Sequence, residues 1–187
     1  MDLREKKTKR SIAAAFLALR AAKPLERITI RELAEKAEIS KATFYLHYRD
    51  IYALSNEMEK QTIQSIMTDI RDPESLVTDP ARFTQEMVRA FLLHKEQIDI
   101  VFSGARAAVL PDSIEQEIRK RLFALQPEAA QDGRLNILLT YQIQGGYYAY
   151  LKNKDRFGTE LVSEVLGESA RRLRESRQSG AAGTGGR

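Results

Sequence analysis

The stretch that decides the fold of the N-terminal part of the chain is ITIRELAEKAEISKATFYLH, residues 28–47. Thr29 and Glu32 form a capping box, in which the threonine oxygen accepts a hydrogen bond from the Glu32 N–H and the glutamate accepts one from the Thr29 N–H. A helix is therefore predicted to begin at Ile30. Ser40 offers a second N-cap only a few residues later, so this helix is short and another helix follows it after a tight turn.

A longer helix precedes this stretch and another follows it. Residues 8–22 place apolar side chains at the helical spacing i, i+3, i+4 and i+7: Ile12, Ala15, Phe16 and Leu19. Pro24 ends this first helix, because proline disfavours helical geometry at the residue before it and has no N–H to donate. Asp50 is the predicted N-cap of a fourth helix. Three helices within residues 8–48, the last of them short, are typical of a helix-turn-helix.

The rest of the chain also predicts helices, separated by proline, glycine, Asp and Asn. Residues 83–102 form either one long helix or two abutting helices, and residues 113–125 are a clear amphipathic helix. Residues 134–152 and 159–175 are the last two helices. The predicted fold class is therefore all-α, with about nine helices, and residues 176–187 are predicted to be a disordered tail because they have almost no apolar content.

Length and composition exclude several classes of protein. The 187 residues fit one compact domain or a small domain joined to a larger one. The absence of cysteine excludes disulfide scaffolds, thiolate metal sites and cysteine nucleophiles, and His47 and His94 are the only histidines, so no metal and no cofactor are predicted. The chain has no run of 18 apolar residues and no signal-peptide core, so a cytoplasmic protein without a membrane partner is expected.

Positive charge is concentrated at the front of the chain. Residues 1–49 contain 12 Lys and Arg against 6 Asp and Glu, a net charge of +6, whereas the remaining residues contain 18 and 20, a net charge of −2. A small basic head on a nearly neutral body indicates that the head binds a polyanion. The alternative is a solvated basic face, which is also common.

The predicted third helix carries side chains that suit contact with DNA. Their hydroxyl, ammonium, phenol and imidazole groups can reach phosphates or base edges: Ser40, Lys41, Thr43, Tyr45, His47 and Tyr48. Phe44 can anchor the helix to the core, and because neighbouring helical residues point about 100° apart, Tyr45 then faces outward. The alternatives are that Tyr45 lies in the core and that His47 is an ordinary surface histidine.

The stretch that begins at Ile28 and ends at His47, followed by Tyr48-Arg49-Asp50, resembles the DNA-binding segment of TetR-family transcriptional regulators. The shared features are a Thr-capped second helix, an L-A-x-x-A stretch, the pattern S-x-x-T-[FLY]-Y-x-H-[FY] and a charged pair that opens the fourth helix. The resemblance covers about the first 60 residues and is architectural beyond them. It implies a DNA-binding head over residues 1–49, within a TetR-type region that extends to about residue 60, and an effector-binding and dimerisation body over residues 50–175.

The resemblance also implies roles for single residues of the head. The helix-turn-helix that contacts DNA would extend from about Ile28 to His47. On the second helix, the contacts to the DNA backbone would come from Thr29 and Arg31. On the third helix, the residues near bases would be Lys41 and Thr43, and the contacts to phosphate and sugar would come from Tyr45 and His47.

The basic start of the first helix precedes this DNA-binding segment in the sequence. It adds Lys7 or Arg10 as a further contact to the DNA backbone. The alternative is that this basic start is merely solvated.

The turn between the second and third helices departs from the family pattern. Glu38 stands where glycine is usual, and a left-handed conformation costs a non-glycine residue about 1–2 kcal/mol. Either the turn is altered or it tolerates this strain. In the second case, Glu38→Gly is expected to raise the thermal stability without abolishing folding.

The helix at residues 134–152 carries two adjoining stripes that share the pair Gly145-Gly146. Glycine in a helix interior costs up to about 1 kcal/mol relative to alanine, so the pair predicts the close approach of another helix or a bend. In the TetR family the last two helices form the dimer contact. The predicted homodimer interface is Leu138, Gln142, Gly145, Gly146, Ala149, Leu161, Val165 and Leu166. The alternative is that both helices close the core of a monomer.

A pocket between the body helices is expected to be apolar with a few polar groups. Its candidate lining residues are Phe91, His94, Phe102, Arg106, Tyr141 and Tyr147. The same residues suit core or interface positions equally well. Arg106, if it faced the cavity, could pair with an anionic effector.

These patterns favour a homodimeric repressor that binds palindromic double-stranded DNA and is released by a small-molecule effector. The alternative is a helix-turn-helix scaffold that acts as a coactivator or adaptor through protein–protein contact. An enzyme is not expected, because the chain lacks G-x-G-x-x-G at a strand-to-helix turn and has no G-x-x-x-x-G-K-[ST], H-E-x-x-H or G-x-S-x-G motif.

Overall fold

The computed structural model describes residues 3–72 and 74–182, and it describes the side chains of all of these except residues 77 and 176–182. Every regular element in these ranges is helical, which confirms the all-α fold class. The α-helices are α1 (Leu3–Ala22), α2 (Ile30–Lys36), α3 (Lys41–Tyr45), α4 (Ile51–Thr68), α5 (Ser75–Thr78), α6 (Pro80–Leu93), α7 (Lys95–Val101), α8 (Val109–Leu125), α9 (Gly133–Phe157) and α10 (Thr159–Ala182). Shorter 3-10 turns lie at Leu25–Arg27, Gly104–Ala108 and Pro127–Gln131. Within the described ranges, none of these helices has both the length and the apolar character needed to cross a bilayer.

The predicted end of the first helix and the predicted starts of the second, third and fourth helices are confirmed, whereas α1 begins at Leu3 and not at residue 8. α1 ends at Ala22, just before the Pro24 stop, and α2 begins at Ile30. Both hydrogen bonds of the capping box are present, because the Glu32 N–H donates to Thr29 Oγ1 at 3.2 Å and the Thr29 N–H donates to Glu32 Oε2 at 3.0 Å. Asp50 caps α4 by accepting a hydrogen bond from the backbone N–H of the third residue after it, at 2.7 Å.

Several helix ends differ from the sequence-based expectation. α8 begins at Val109 and not at residue 113, and α9 ends at Phe157 and not at residue 152. Residues 83–102 contain two helices, because α6 ends at Leu93 and α7 begins after His94. α10 continues to Ala182, into the stretch that was predicted to be disordered, and residues 183–187 lie outside the described residues. Arg and Gln, which occur in this stretch, are good helix formers, and a helix that packing has started is extended by propensity.

The chain divides into two compact units. The first contains the chain up to Thr62 together with His94–Ala108, and the second contains Ile63–Leu93 together with the chain from Val109 onward. The boundary therefore falls inside α4, whereas the sequence placed it between residues 49 and 50. The first unit also takes in residues 94–108, which the sequence assigned to the body.

Two arginines bind residues 94–108 to the other helices of the first unit. Arg106 donates two hydrogen bonds to Glu59 of α4, from Nε to Oε1 at 2.6 Å and from Nη2 to Oε2 at 2.5 Å. Arg20 of α1 is buried and donates to the backbone carbonyl of Ser103 at 3.2 Å and to its hydroxyl at 2.5 Å. Because a charge removed from water needs a partner, these contacts bind α7 and the turn after it to α1 and α4.

The core of the first unit is apolar and comes from both parts of the chain. Its buried side chains include Ile12, Phe16, Leu33, Phe44, Leu54 and Val101. The stripe predicted on α1 thus faces the core, and Phe44 fixes α3 to it.

In the second unit, α10 packs against α6 and α9, and α9 packs against α8. The closest approach occurs at Gly167 of α10, where an added Cβ would lie 3.2 Å from the carbonyl oxygen of Ala81 in α6. The close approach predicted at Gly145-Gly146 is not found among the described residues. A Cβ at Gly145 would meet open space, and one at Gly146 would meet Leu166 at the ordinary distance of 3.9 Å.

Candidate nucleic-acid interface and ligand cavity

The first residue of the predicted helix-turn-helix, Ile28, lies in the core and not on the DNA-facing surface. Its side chain is 5% exposed, and its N–H donates to the Leu25 carbonyl at 3.0 Å, which closes the 3-10 turn before α2. The helix-turn-helix predicted over about Ile28 to His47 therefore begins with a residue that supports its fold, and its first exposed residue is the N-cap Thr29. Ile28 and the buried Leu33 occupy the two positions of a hydrophobic staple, which sets the angle at which the chain enters the helix.

A Schellman motif closes the turn between α2 and α3. The Ile39 N–H donates to the Ala34 carbonyl at 3.0 Å, and the Glu38 N–H donates to the Glu35 carbonyl at 3.2 Å. Glu38 has a φ of 56°, in the left-handed region that favours glycine. Of the two possibilities left open by the sequence, the structure has the strained one, in which a glycine-type turn holds a glutamate.

α3 and the residue after it present a protruding surface above a buried anchor. Phe44 is fully buried, as predicted, whereas Tyr45 is 57% exposed. The exposed residues here are Lys41, Ala42, Tyr45 and Leu46, and we call them the α3 face. A short helix held by one aromatic anchor leaves this face open to a partner.

Leu46 is the member of the α3 face that the sequence reasoning missed. Its side chain is 83% exposed, although leucine is an apolar residue. It follows Ala42 by four residues, which places both on the same side of the helix, and its N–H donates to the Ala42 carbonyl at 3.2 Å. This four-residue spacing was the signal that could have identified it. Apolar side chains in a major groove contact the methyl group of thymine.

Several predicted DNA contacts also serve the local structure. Ser40 Oγ caps α3 by accepting from the Thr43 N–H at 3.0 Å, and it lies 2.8 Å from Thr43 Oγ1. Arg31 forms an ion pair with Glu35, with 2.9 Å between Nε and Oε1, and both side chains are exposed. An exposed pair of this kind is weak and is screened by salt, so Arg31 can exchange the carboxylate for a phosphate.

The start of α2 carries a strongly held carboxylate. Lys23 Nζ lies 2.6 Å from Glu32 Oε1, and Thr29 donates to Oε2 from its hydroxyl at 2.8 Å as well as from its N–H. The hydrogen bond from Lys23, followed by those from Thr29, lowers the pKa of Glu32 to about 2. Both donors of Thr29 are thus engaged with Glu32, and a direct phosphate contact by Thr29 requires the release of one of them.

His47 and Tyr48 follow α3 and are half-buried. The ring centroid of Tyr48 lies 5.8 Å from that of Phe44 and 6.5 Å from that of His47. Burial, followed by the charge of Glu57, raises the pKa of Tyr48. Its hydroxyl therefore stays protonated at neutral pH and can donate a hydrogen bond to a phosphate oxygen.

The basic start of α1 is solvent-exposed. Lys7 and Arg10 are both exposed, and neither forms an ion pair with a residue that the structure describes. Lys9, by contrast, pairs with Glu5 at 3.3 Å. Lys7 and Arg10 are thus available for phosphate.

Comparison with known families bears on this arrangement of α1 to α4. Residues 12–58 match the family model described as "Bacterial regulatory proteins, tetR family". This match supports a TetR-family regulator with an N-terminal helix-turn-helix head. The match supports DNA-binding transcriptional regulation through the helix-turn-helix formed by α2 and α3. A comparison with curated proteins finds no match to this chain.

The second unit of the chain contains a cavity of about 660 Å³. α6, α8, α9 and α10 line it, together with Leu76 of α5. Part of its wall is aromatic, since the ring centroid of Phe91 lies 6.5 Å from that of Tyr147 and 5.8 Å from that of Tyr150. The volume is within the range of small-molecule sites in proteins.

The six candidate pocket residues fall in both units of the chain. Those that line the cavity are Phe91, Tyr141 and Tyr147. The other three do not line it and lie in the first unit, where His94 precedes α7, Phe102 is buried and Arg106 binds Glu59. Their assignment to a pocket assumed that the body is continuous in sequence, whereas residues 94–108 belong to the first unit.

The predicted dimer residues also fall into two groups, those that line the cavity and those that are exposed. Those that line the cavity are Leu138, Gln142, Gly145, Gly146, Ala149 and Leu166. Leu161 and Val165 of α10 are instead about half exposed, at 49% and 52%. The exposed apolar residues of α9 that repeat at helical spacing are Ile137, Tyr141 and Tyr148, offset by one residue from the predicted stripe. Two neighbouring apolar stripes cannot be distinguished by period alone.

Proposed function

We propose that this regulator is a repressor that binds a palindromic operator as a homodimer and is released by a small effector. The observation that carries the proposal is the exposed α3 face above the fully buried Phe44. An ammonium, a phenol and two apolar groups on one protruding helix suit the major groove, where base edges and thymine methyl groups are read. Lys7, Arg10 and Arg31 supply exposed positive charge for nearby phosphates.

Most of the individual roles are those that the resemblance to TetR-family regulators implies, and the chemistry of each side chain suits them. Lys41 and Thr43 lie near bases, Tyr45 and His47 contact phosphate and sugar, and Tyr48 adds a phosphate contact. Ser40 positions this set by capping α3. Lys41 is the base contact to test first, because its ammonium is exposed and forms no ion pair among the described residues.

A homodimer is supported by the exposed apolar residues of the last two helices. They are Ile137, Tyr141, Tyr148, Leu161 and Val165. Apolar side chains that remain in water on packed helices mark an interaction surface, and a second copy of the same surface covers both at once. Dimerisation matters for function because two heads must reach successive major grooves, about 34 Å apart.

The dimer is tested by sedimentation of the full chain. Ile137→Glu and Val165→Glu are expected to shift the protein to monomer, because each places a charge in an apolar contact and neither residue lines the cavity. Gln116→Glu, on the exposed side of α8, is the matched control and is expected to leave the mass unchanged. Monomeric native protein at micromolar concentration would contradict the proposal.

Effector release is a linkage between two binding sites. The cavity of the second unit is the proposed effector site, and operator and effector favour different separations of the two heads. Each ligand then weakens the binding of the other by the same factor.

The operator is tested by selecting bound duplexes from a random DNA pool at about 150 mM salt, where binding through phosphates alone is weak. An inverted repeat is the expected product. Folded protein that selects nothing would contradict the proposal and favour the adaptor function.

Variants of the α3 face then test the assignment of contacts. Lys41→Ala and Tyr45→Phe are expected to weaken operator binding and leave dimerisation intact, with Lys60→Ala as a control on the exposed side of α4. Loss of a phosphate contact lowers the salt slope by about 1, whereas loss of a base contact relaxes specificity by about 1–3 kcal/mol. Native affinity in both variants would show that the assigned face is wrong.

A further inference from the structure

The cavity of the second unit has an unusual distribution of charge. Among the described residues that line it, Arg174 near the end of α10 is the only charged one, and the others are apolar or neutral polar. A molecule inside this cavity therefore meets one positive charge and no negative charge from the wall. The charge of the wall restricts the class of ligand that can bind.

Two carboxylates on the lining helices are engaged with partners outside the cavity. Glu86 of α6 accepts hydrogen bonds from the backbone N–H groups of Arg71 at 2.7 Å and Asp72 at 3.2 Å. Glu115 of α8 accepts from Arg119 at 2.8 Å and from Thr140 at 2.6 Å. Neither carboxylate is part of the cavity wall.

A cationic ligand would consequently be buried without a counter-charge. Taking an ammonium group out of water costs several kcal/mol unless a carboxylate compensates for it, and the wall offers none. Arg174 would add repulsion. The cavity therefore disfavours the binding of cationic ligands.

Arg174 suits the polar end of an anionic or neutral ligand. Its guanidinium donates from Nη1 to the backbone carbonyl of Thr78, at the end of α5, and this bond holds the side chain at the cavity. Among residues with described side chains, no other acceptor binds the guanidinium. Its remaining N–H groups form the planar fork that matches a carboxylate.

We propose that this cavity binds an apolar molecule with a single acidic or neutral polar end, an aliphatic or aromatic carboxylate above all, and that it rejects the corresponding amine. The polar end binds Arg174, and the apolar part lies against residues such as Phe91, Leu139 and Ile118. This inference rests on the proposed function in placing the effector in the cavity, but it concerns the charge class of the ligand alone.

Three probes of equal chain length test the charge class: dodecanoate, dodecanol and dodecylamine. Binding of each to the full chain is measured by calorimetry below its micelle concentration and at fixed ionic strength. Dodecanoate is expected to bind about tenfold or more tightly than dodecanol, because a hydrogen bond to a charged group is stronger than one to a neutral group. Dodecylamine is expected to show no saturable binding.

Variants at Arg174 test the proposed contact. Arg174→Gln is expected to remove the preference for dodecanoate while leaving the affinity for dodecanol unchanged, which also reports that the cavity is intact. Arg174→Lys is expected to restore part of the preference. Arg171→Gln, an exposed arginine of the same helix that does not line the cavity, is the matched control and is expected to behave as the native protein.

A second variant tests the site itself. Met87 lines the cavity from α6, and Met87→Trp is expected to fill it and weaken binding of dodecanoate and dodecanol alike. Dodecylamine that binds as tightly as dodecanoate, or a preference that survives in Arg174→Gln, would overturn the inference. Failure of all three probes to bind the folded protein would overturn it as well.

The failure of this inference is distinguishable from the failure of the proposed function. Operator binding is measured with and without each probe. If dodecanoate binds through Arg174 but leaves operator affinity unchanged, the charge class stands and the proposed release by an effector is wrong. If the probes do not bind but an inverted repeat is selected, the inference is wrong and the DNA-binding part of the function stands.

Discussion

Replacing Glu38 with glycine is expected to stabilise the first unit, because the backbone at this position already has the conformation that glycine prefers. The residue has a φ of 56° and closes the Schellman motif after α2. Its side chain is exposed and forms no hydrogen bond or ion pair with the described residues, so its removal loses no contact. The effect of the substitution is therefore an effect on the backbone.

The magnitude follows from two opposing contributions. Relief of the left-handed strain stabilises the folded state by about 1–2 kcal/mol. Glycine also gives the unfolded chain more freedom, which destabilises the folded state by about 0.4–1 kcal/mol. The expected net gain is about 0.8 kcal/mol, and for a chain of this length it corresponds to a rise of about 2–3 °C in melting temperature.

The assay is calorimetric unfolding of the native protein and a set of matched variants. Glu38→Ala keeps the Cβ and thus the strain, and is expected to give no gain. Lys36→Gly, at an exposed right-handed position two residues earlier, is expected to lose about 1 kcal/mol. If Glu38→Gly melts lower than the native protein, or no higher than Glu38→Ala, the argument from backbone strain is refuted.

Three further results are expected. Arg106→Ala leaves the buried Glu59 carboxylate without its ion pair and should cost about 3 kcal/mol in a urea titration, most of which the double variant with Glu59→Met recovers. Glu32 has a pKa of about 2 in the folded state, below its usual value, so its stabilisation is fully present above about pH 4.3 and is lost as the pH falls toward 2; unfolding curves of Glu32→Gln should lack this loss. Leu46→Ala should reduce operator affinity about fivefold or more if a thymine methyl is contacted, and replacement of that thymine by uracil should then have no further effect on the variant.

The head could be predicted from the sequence because its signals are local. A capping box, an N-cap and a proline stop each act within a few residues, and the structure has α2 beginning at Ile30 and α3 at Lys41 as these signals predict. Phe44 and Tyr45 were correctly placed on opposite sides of α3, because helical phase alone decides their directions. Ile28 precedes the helix, where no such phase applies, and only packing shows that it is buried.

The body could not be predicted at the same level because its contacts are distant in sequence. Arg106 resembled a ligand contact as long as its partner was unknown, and that partner, Glu59, lies 47 residues earlier. The stripes of α9 posed a different problem, because both are apolar and only the packing of α8 and α10 against α9 decides which one lines the cavity. Arg174 offered no signal in the sequence beyond one more charge near the end of a helix.

The passage of residues 94–108 through the first unit has a consequence for protein engineering. A cut planned from the family match alone would fall near residue 58. A fragment that ends there would retain Arg20 but lose Ser103, its partner from the later segment, and a fragment that ends a few residues later would also retain Glu59 without its partner Arg106. A functional chimera must therefore transplant two segments of the chain. The alternative is to replace the charged residues that lose their partners by apolar side chains.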